Sequence, residues 1–285
     1  MAEQSRWQTW LQRWFAIPPG RASSSAIDWP AVMAALPILH GLDDPARLHL
    51  QQLAQQFLRQ KVITPIGVTP RPEQLANLAL QACLPILHLG LGWYRNFYEI
   101  ILLPDAVERA APDHGWMDDE WLLDADQVHL GEAWEQGPVV LVWPEVLHDG
   151  QWDGYNLVIH ELIHKLDMLA DGHANGMPPE RPGVPIQLWQ AELERVLAEV
   201  RRQVAAGEEG CLDEQAADNA AECLAVSGEL FFTRPLALQQ AFPAFYHLLT
   251  LWFGDDPARR QPSVTHHGSK WPWLSHAAGH DNGQM

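Results

Sequence analysis

Residues 156–167 read NLVIHELIHKLD, an H-E-x-x-H pattern inside a run that is otherwise apolar and compatible with a helix. At about 100° per residue, positions four apart lie ~40° apart on a helix surface, so His160 and His164 present two imidazoles to one metal ion. Glu161 then sits beside the ion's open position, where a carboxylate can take a proton from a metal-activated water. Leu157, Val158, Ile159, Leu162, Ile163 and Leu166 give the same helix a broad apolar surface. Such a helix has little reason to bury two His and a Glu unless something offsets their desolvation, and a zinc ion does so. The pattern therefore predicts zinc-dependent peptide hydrolysis, with one Zn²⁺ on His160 and His164 and with Glu161 as general base.

A catalytic zinc site takes three protein ligands and one open position, so the chain must supply a third donor. The extended pattern H-E-x-x-H-x-x-G-x-x-H asks for Gly at 167 and His at 170. The chain has Asp167 and Ala170 there, which excludes that class. His173, in a Gly-rich stretch just beyond, is one remaining donor. Glu222 is the other, in NAAECLAVSGELFF (219–232), a carboxylate among small and apolar residues near the start of a helix. A helical Glu downstream of H-E-x-x-H completes a His₂Glu set, but the helix dipole also favours a first-turn Glu in a purely structural role. The residues alone leave Glu222 and His173 both open. Asp167, one turn after His164, is placed either to accept that imidazole's second N–H or to stand as a simple surface carboxylate.

The chain has 285 residues and is 47% hydrophobic, enough for a sizeable core. Lys plus Arg number 18 against 36 Asp plus Glu, a net charge of −18 that disfavours nucleic acid and anionic membrane as partners. Three widely spaced cysteines, Cys83, Cys211 and Cys223, suggest neither a disulfide framework nor a thiolate zinc site. The first residues lack the apolar core of a signal peptide, and no run approaches the ~20 apolar residues of a membrane span. A soluble, cytoplasmic protein is the expectation.

Taken in order, Trp7, Trp10, Leu11, Trp14 and Phe15 fall on one face of a helix over residues 7–15, and residues 18–25 read as a linker. Two or three helices fit residues 29–59, and another fits 73–87. Aromatic and β-branched residues predict strands over 93–103 and 139–143, with a short one at 128–130. The strand at 139–143 leads to the histidine helix, and a strand beside the cleft is where an extended peptide can add backbone hydrogen bonds. Helices follow over 186–206, over 220–232 capped by Asp218 or Asn219, and over 242–253. The last residues, with His266, His267, His276 and His280, read as a loosely ordered tail. The predicted fold is α+β and mostly helical, with a small sheet and helical flanks. It forms one domain over 1–254, with an N-terminal helical part (1–60), a catalytic core (61–254) and a tail (255–285).

Four segments taken together, RQKVITPIGV (59–68), LGWYRNFYEIILLPD (91–105), GPVVLVWPEVLHDGQWDGYNLVIHELIHKLDMLAD (137–171) and NAAECLAVSGELFF, closely resemble the Mlc titration factor A family of zinc peptidases. The resemblance implies a zincin-like domain whose metal-binding part is similar to that of anthrax lethal factor. It also implies zinc ligands at His160, His164 and Glu222, a general base at Glu161, and aminopeptidase-like activity. For the family's namesake it implies an interaction with a sugar-responsive transcriptional repressor, a partner this chain need not share. The alternative function is then a regulatory binding protein that sequesters a repressor through a weakly active or structural zinc site. One position departs from the family pattern. A tyrosine placed to assist at the oxyanion, seven residues before the glutamate ligand, is Gln215 here, and an amide can donate a hydrogen bond but cannot act as an acid.

Overall fold

The helices begin where short polar side chains can cap them. Asp28 accepts a hydrogen bond from Ala31 N and starts α1 (Trp29–Ala34), and Asp43 accepts from Ala46 N and starts α2 (Asp44–Gln60). The computed structural model describes residues 27–104, 137–148 and 150–262. The expected helix over 7–15, the linker after it, the short strand at 128–130 and the four tail histidines lie outside the described residues.

From α2 the chain enters β1 (Val62–Pro65), then α3 (Pro72–Cys83), β2 (Glu99–Leu103) and β3 (Val139–Val142). The three strands form a parallel sheet in the order β1-β2-β3, with Val62 opposite Glu99 and Ile100 opposite Val139. Strand β2 is central and buries Ile100 and Leu102 on one face, as period-two alternation requires. Then come α4 (Trp143–His148), α5 (Leu157–Asp167), α6 (Ile186–Ala206), α7 (Ala220–Thr233), α8 (Pro235–Ala241) and α9 (Pro243–Phe253). The fold is thus α+β and mostly helical around a small sheet.

Strand formation over 93–103 is shorter than expected. Residues Leu91–Tyr94 form a 3-10 turn, and only Glu99–Leu103 pair in the sheet. The aromatic residues that suggested a strand serve a different purpose: Tyr94 and Phe97 pack edge-on against Phe57 of α2. Their carbonyls leave the ladder as well, both accepting from Lys61 Nζ at 2.5 Å. The strand expected over 139–143 stops one residue early, because Trp143 and Pro144 open α4, where proline is tolerated in the first turn.

Helix α7 is the pivot. Every residue from Ala221 to Thr233 except Glu222 is buried, as expected of a helix packed on all sides. It packs on α5, which in turn packs on β3 and α3. Gly228 sets the spacing between α5 and α7: a Cβ there would lie 2.8 Å from Ile163 Cγ1, so only the absence of a side chain lets the helices approach this closely. Glycine in mid-helix costs roughly 0.5–1 kcal/mol relative to alanine, a cost offset by bringing the two functional helices together.

Candidate metal centre

Asn156 caps α5 by accepting a hydrogen bond from Ile159 N at 2.9 Å, and Asn219 caps α7 by accepting from Glu222 N at 3.0 Å. The first cap fixes the helix that carries His160, Glu161 and His164, and the second fixes the backbone of Glu222. Apolar packing of Val158, Ile159, Leu162, Ile163 and Leu166 turns the histidine face of α5 toward the start of α7. His160 and His164 stand with ring centroids 5.0 Å apart.

The two imidazoles close on Glu222 from either side. His160 Nε2 lies 3.3 Å from Glu222 Oε2, and His164 Nε2 lies 3.3 Å from Glu222 Oε1. Ligand atoms of the three residues all lie within 4.8 Å of one another. For donors ~2.0–2.2 Å from a tetrahedral zinc ion, neighbouring ligand atoms sit roughly 3.3–3.6 Å apart. The spacing and the chemistry of the donors, two imidazoles and a carboxylate, therefore fit zinc. His173 is exposed in the loop after α5, where its backbone N–H donates to Asp171, and it does not belong to this cluster.

The electrostatics of the cluster favour a positive charge. Burial works against a charge on His160, but Glu222 and Glu229 outweigh it and hold the imidazole's pKa at about 10. Burial likewise opposes ionisation of Glu222, yet the two histidines keep its carboxyl well below the usual carboxylate range. A proton on the metal-free site supplies positive charge that a bound ion would otherwise provide.

Glu229, to which the sequence reading gave no role, lies behind His160. Its Oε2 is 3.3 Å from His160 Nδ1, and its Oε1 accepts the backbone N–H of Asn156 at 2.5 Å. Asn156 Nδ2 in turn donates to Gln81 Oε1 of α3 at 2.6 Å. A buried chain of hydrogen bonds thus runs from α3 through the cap of α5 to α7 and ends on the imidazole. The available signal was spacing: Glu229 is seven residues after Glu222, on the same face of a helix otherwise almost free of charge.

Asp167 is wholly buried, contrary to a surface role, and no hydrogen bond to it from His164 is formed. Its Oδ2 accepts Gly176 N at 2.7 Å, while Oδ1 is buried without a partner. Burial raises its pKa to about 6. The loop it holds packs on α7 so tightly that a Cβ on Gly176 (φ +82°) would come within 2.8 Å of Ala220 O.

Glu161 lines, together with His160, a cleft of about 180 Å³ bordered also by Tyr155, Leu157, Cys211, Gln215 and Arg234. Gln215 lies on a 3-10 turn (Glu214–Ala217) started by Asp213, and its Nε2 donates to Glu222 Oε2 at 2.9 Å. The residue that departs from the family pattern thus does sit at the centre. Tyr246 is elsewhere, its hydroxyl donating to Asp256 and accepting from Ala258 N. Tyr155 lines the cleft with its hydroxyl bonded to Glu145.

The chain matches the family described as glucose-regulated metallo-peptidase M90 over residues 8–254. It is also similar to proteins named Mlc titration factor A. Those of Yersinia pestis (strain Pestoides F) and Yersinia pseudotuberculosis serotype O:1b are each 37% identical over 229 residues, covering 79% of this chain and 83% of theirs. A histidine pair and a carboxylate at metal-ligand spacing, and a match spanning nearly all of the described fold, lead to one conclusion: the chain belongs to the glucose-regulated metallo-peptidase M90 family.

Proposed function

We propose that this member of the metallopeptidase family is a zinc-dependent peptidase of aminopeptidase type, with His160, His164 and Glu222 as ligands and Glu161 as general base. The observation that carries the reading is the 3.3 Å closure of both imidazoles on Glu222 beside a cleft that holds Glu161. When bound, zinc would lower the pKa of a water to ~7 and polarise the scissile carbonyl. Glu161 accepts a proton as the water's oxygen bonds to the carbonyl carbon, then gives it to the amine as the C–N bond breaks. Glu229 accepts from His160 Nδ1–H and so keeps Nε2 as the lone-pair donor. Gln215 offers an amide N–H near the oxyanion position, a weaker aid than a phenol.

Support for a second reading comes from the same Gln215 and from the relatives named Mlc titration factor A. In it the chain sequesters a transcriptional repressor, and the zinc site is structural or slow. The two readings are separated by zinc-loaded protein assayed on a panel of aminoacyl chromogenic substrates, with Glu161→Gln and Glu222→Ala alongside. The peptidase reading expects hydrolysis by the native chain, loss of turnover with retained zinc in Glu161→Gln, and loss of zinc in Glu222→Ala. Zinc-loaded native protein that is inert on the whole panel would reject it.

A further inference from the structure

The cleft that begins at His160 and Glu161 continues along α7. Val226, Glu229 and Leu230 line its wall on one helix face, and Arg234, the residue that ends the helix, closes it. Arg234 is the one Arg or Lys side chain among the lining residues. A cation at a helix C-terminus has an ordinary structural use, bonding the last free carbonyls. Arg234 does not serve it: no hydrogen bond or ion pair among the described residues reaches its guanidinium, leaving five N–H donors uncommitted.

Three of the four acids along the same walls are engaged, the fourth being Glu161, the proposed general base. Asp153 accepts the backbone N–H of Tyr155 at 3.1 Å, Asp213 accepts that of Gln215 at 3.0 Å, and Glu229 is held between Asn156 N and His160. Apart from Glu161, which the peptidase reading assigns to the attacking water, the charged lining side chain without a hydrogen bond is therefore Arg234, although the acids of these walls outnumber their cations. The stem of Arg234 runs beside Gly154. A Cβ on Gly154 would be 3.1 Å from Leu230 Cδ1 and 3.5 Å from Arg234 Cδ, so the glycine leaves room for this side chain. An exposed Arg on the cleft wall, with no hydrogen bond or ion pair to another described residue, is open to a ligand, and a planar fork of donors matches a carboxylate. A volume of about 180 Å³, at ~30 Å³ per water, has room for roughly six waters or a residue or two of peptide.

Resting on the peptidase reading above, we infer that Arg234 selects substrates by binding a carboxylate on the peptide just downstream of the cleaved bond. An aminopeptidase leaves a single residue upstream of that bond, which places the rest of the peptide on the downstream side. The carboxylate comes from an Asp or Glu side chain or from the peptide's own C-terminus.

Two peptide pairs distinguish these sources: Ala-Glu-amide against Ala-Gln-amide, and Ala-Ala against Ala-Ala-amide. In zinc-loaded native protein one pair should show kcat/KM about ten- to hundredfold higher for the carboxylate member, the range expected of charge-assisted hydrogen bonds. Arg234→Ala should bring that ratio to about one, Arg234→Lys should keep part of it, and Arg234→Glu should invert it. Each ratio is taken within one variant, so a lower folded fraction cancels. A native ratio near one in both pairs, or a ratio that survives Arg234→Ala, overturns the proposal. If the native protein cleaves none of the four, the peptidase reading fails instead. Calorimetric binding of the same peptides to zinc-loaded native and Arg234→Ala protein then decides the matter: tighter binding of a carboxylate member only when Arg234 is present supports the proposal, and equal binding refutes it.

Discussion

Replacing Glu229 by Gln changes one atom in a buried contact, and the consequence reaches the metal. With zinc on His160 Nε2, the imidazole must carry its proton on Nδ1, which faces Glu229 Oε2 at 3.3 Å. In Glu229→Gln the amide oxygen takes the place of Oε1 and keeps the bond from Asn156 N, so the amide nitrogen faces Nδ1 with a donor. Two N–H groups then oppose each other. The imidazole relieves this by moving its proton to Nε2, the atom needed for zinc. Loss of such an orienting partner typically weakens metal binding 10–100-fold, equivalent to about 1.4–2.7 kcal/mol. Stability of the metal-free protein should fall less than zinc affinity, because loss of a partner for the His160 imidazolium is offset in part by removal of a carboxylate whose pKa burial raises. Zinc affinity by competition with a chromogenic chelator, together with thermal unfolding of the metal-free protein, separates the two effects. A Glu229→Gln variant that binds zinc within two- to threefold of native would refute the reasoning, as would a metal-free fold that collapses.

Gln215→Tyr should raise kcat appreciably, by less than the ~10²–10³ that a whole oxyanion donor contributes because the amide already donates, while zinc content and KM stay near native; unchanged kcat on an aminoacyl substrate would mean that another group, such as Tyr155, already supplies the hydrogen bond. Asp167 titrates at about 6 in the fold against 3.8 when exposed, so its ionisation costs stability. The cost is absent below pH ~4, grows as pH rises from about 4 to about 6, and is complete above that, at up to about 3 kcal/mol. Asp167→Asn should therefore stabilise the protein at pH 7 and do little at pH 4, because its amide oxygen still accepts from Gly176 N; urea unfolding that shows equal effects at both pH values would contradict this.

The parts of the fold legible in the sequence were those with long periodic signals. Residues 186–206 carry Trp189, Leu193, Val196 and Val200 on one face, and the helix has the expected bounds. The H-E-x-x-H helix was equally plain, because its pattern encodes chemistry and geometry together. Strand β1 and helices α4 and α8 were missed for being short: four to seven residues give too little periodicity to stand out. In 93–103 the aromatic residues fit strand propensity but were used for packing against α2, an override by tertiary contacts. At the centre, spacing within one helix found His160 and His164, whereas Glu222 lies on a separate helix, where its apolar surroundings made it a candidate and the family resemblance decided for it. Its meeting with the histidines depends on Gly228 accepting Ile163, a contact between residues 65 apart in sequence. Glu229 and Arg234 escaped notice because a lone charge on an apolar helix or at a helix end has ordinary structural explanations.

The most direct test is crystallographic: diffraction data from the zinc-loaded protein on both sides of the zinc absorption edge, which locate the ion independently of any assumed ligands. The proposed function predicts one strong anomalous peak per chain, ~2.0–2.2 Å from His160 Nε2, His164 Nε2 and one carboxylate oxygen of Glu222, with the fourth position open toward Glu161 and the cleft. A peak held by His173 with Glu222 turned to solvent, or zinc bound only at other histidines, would contradict it.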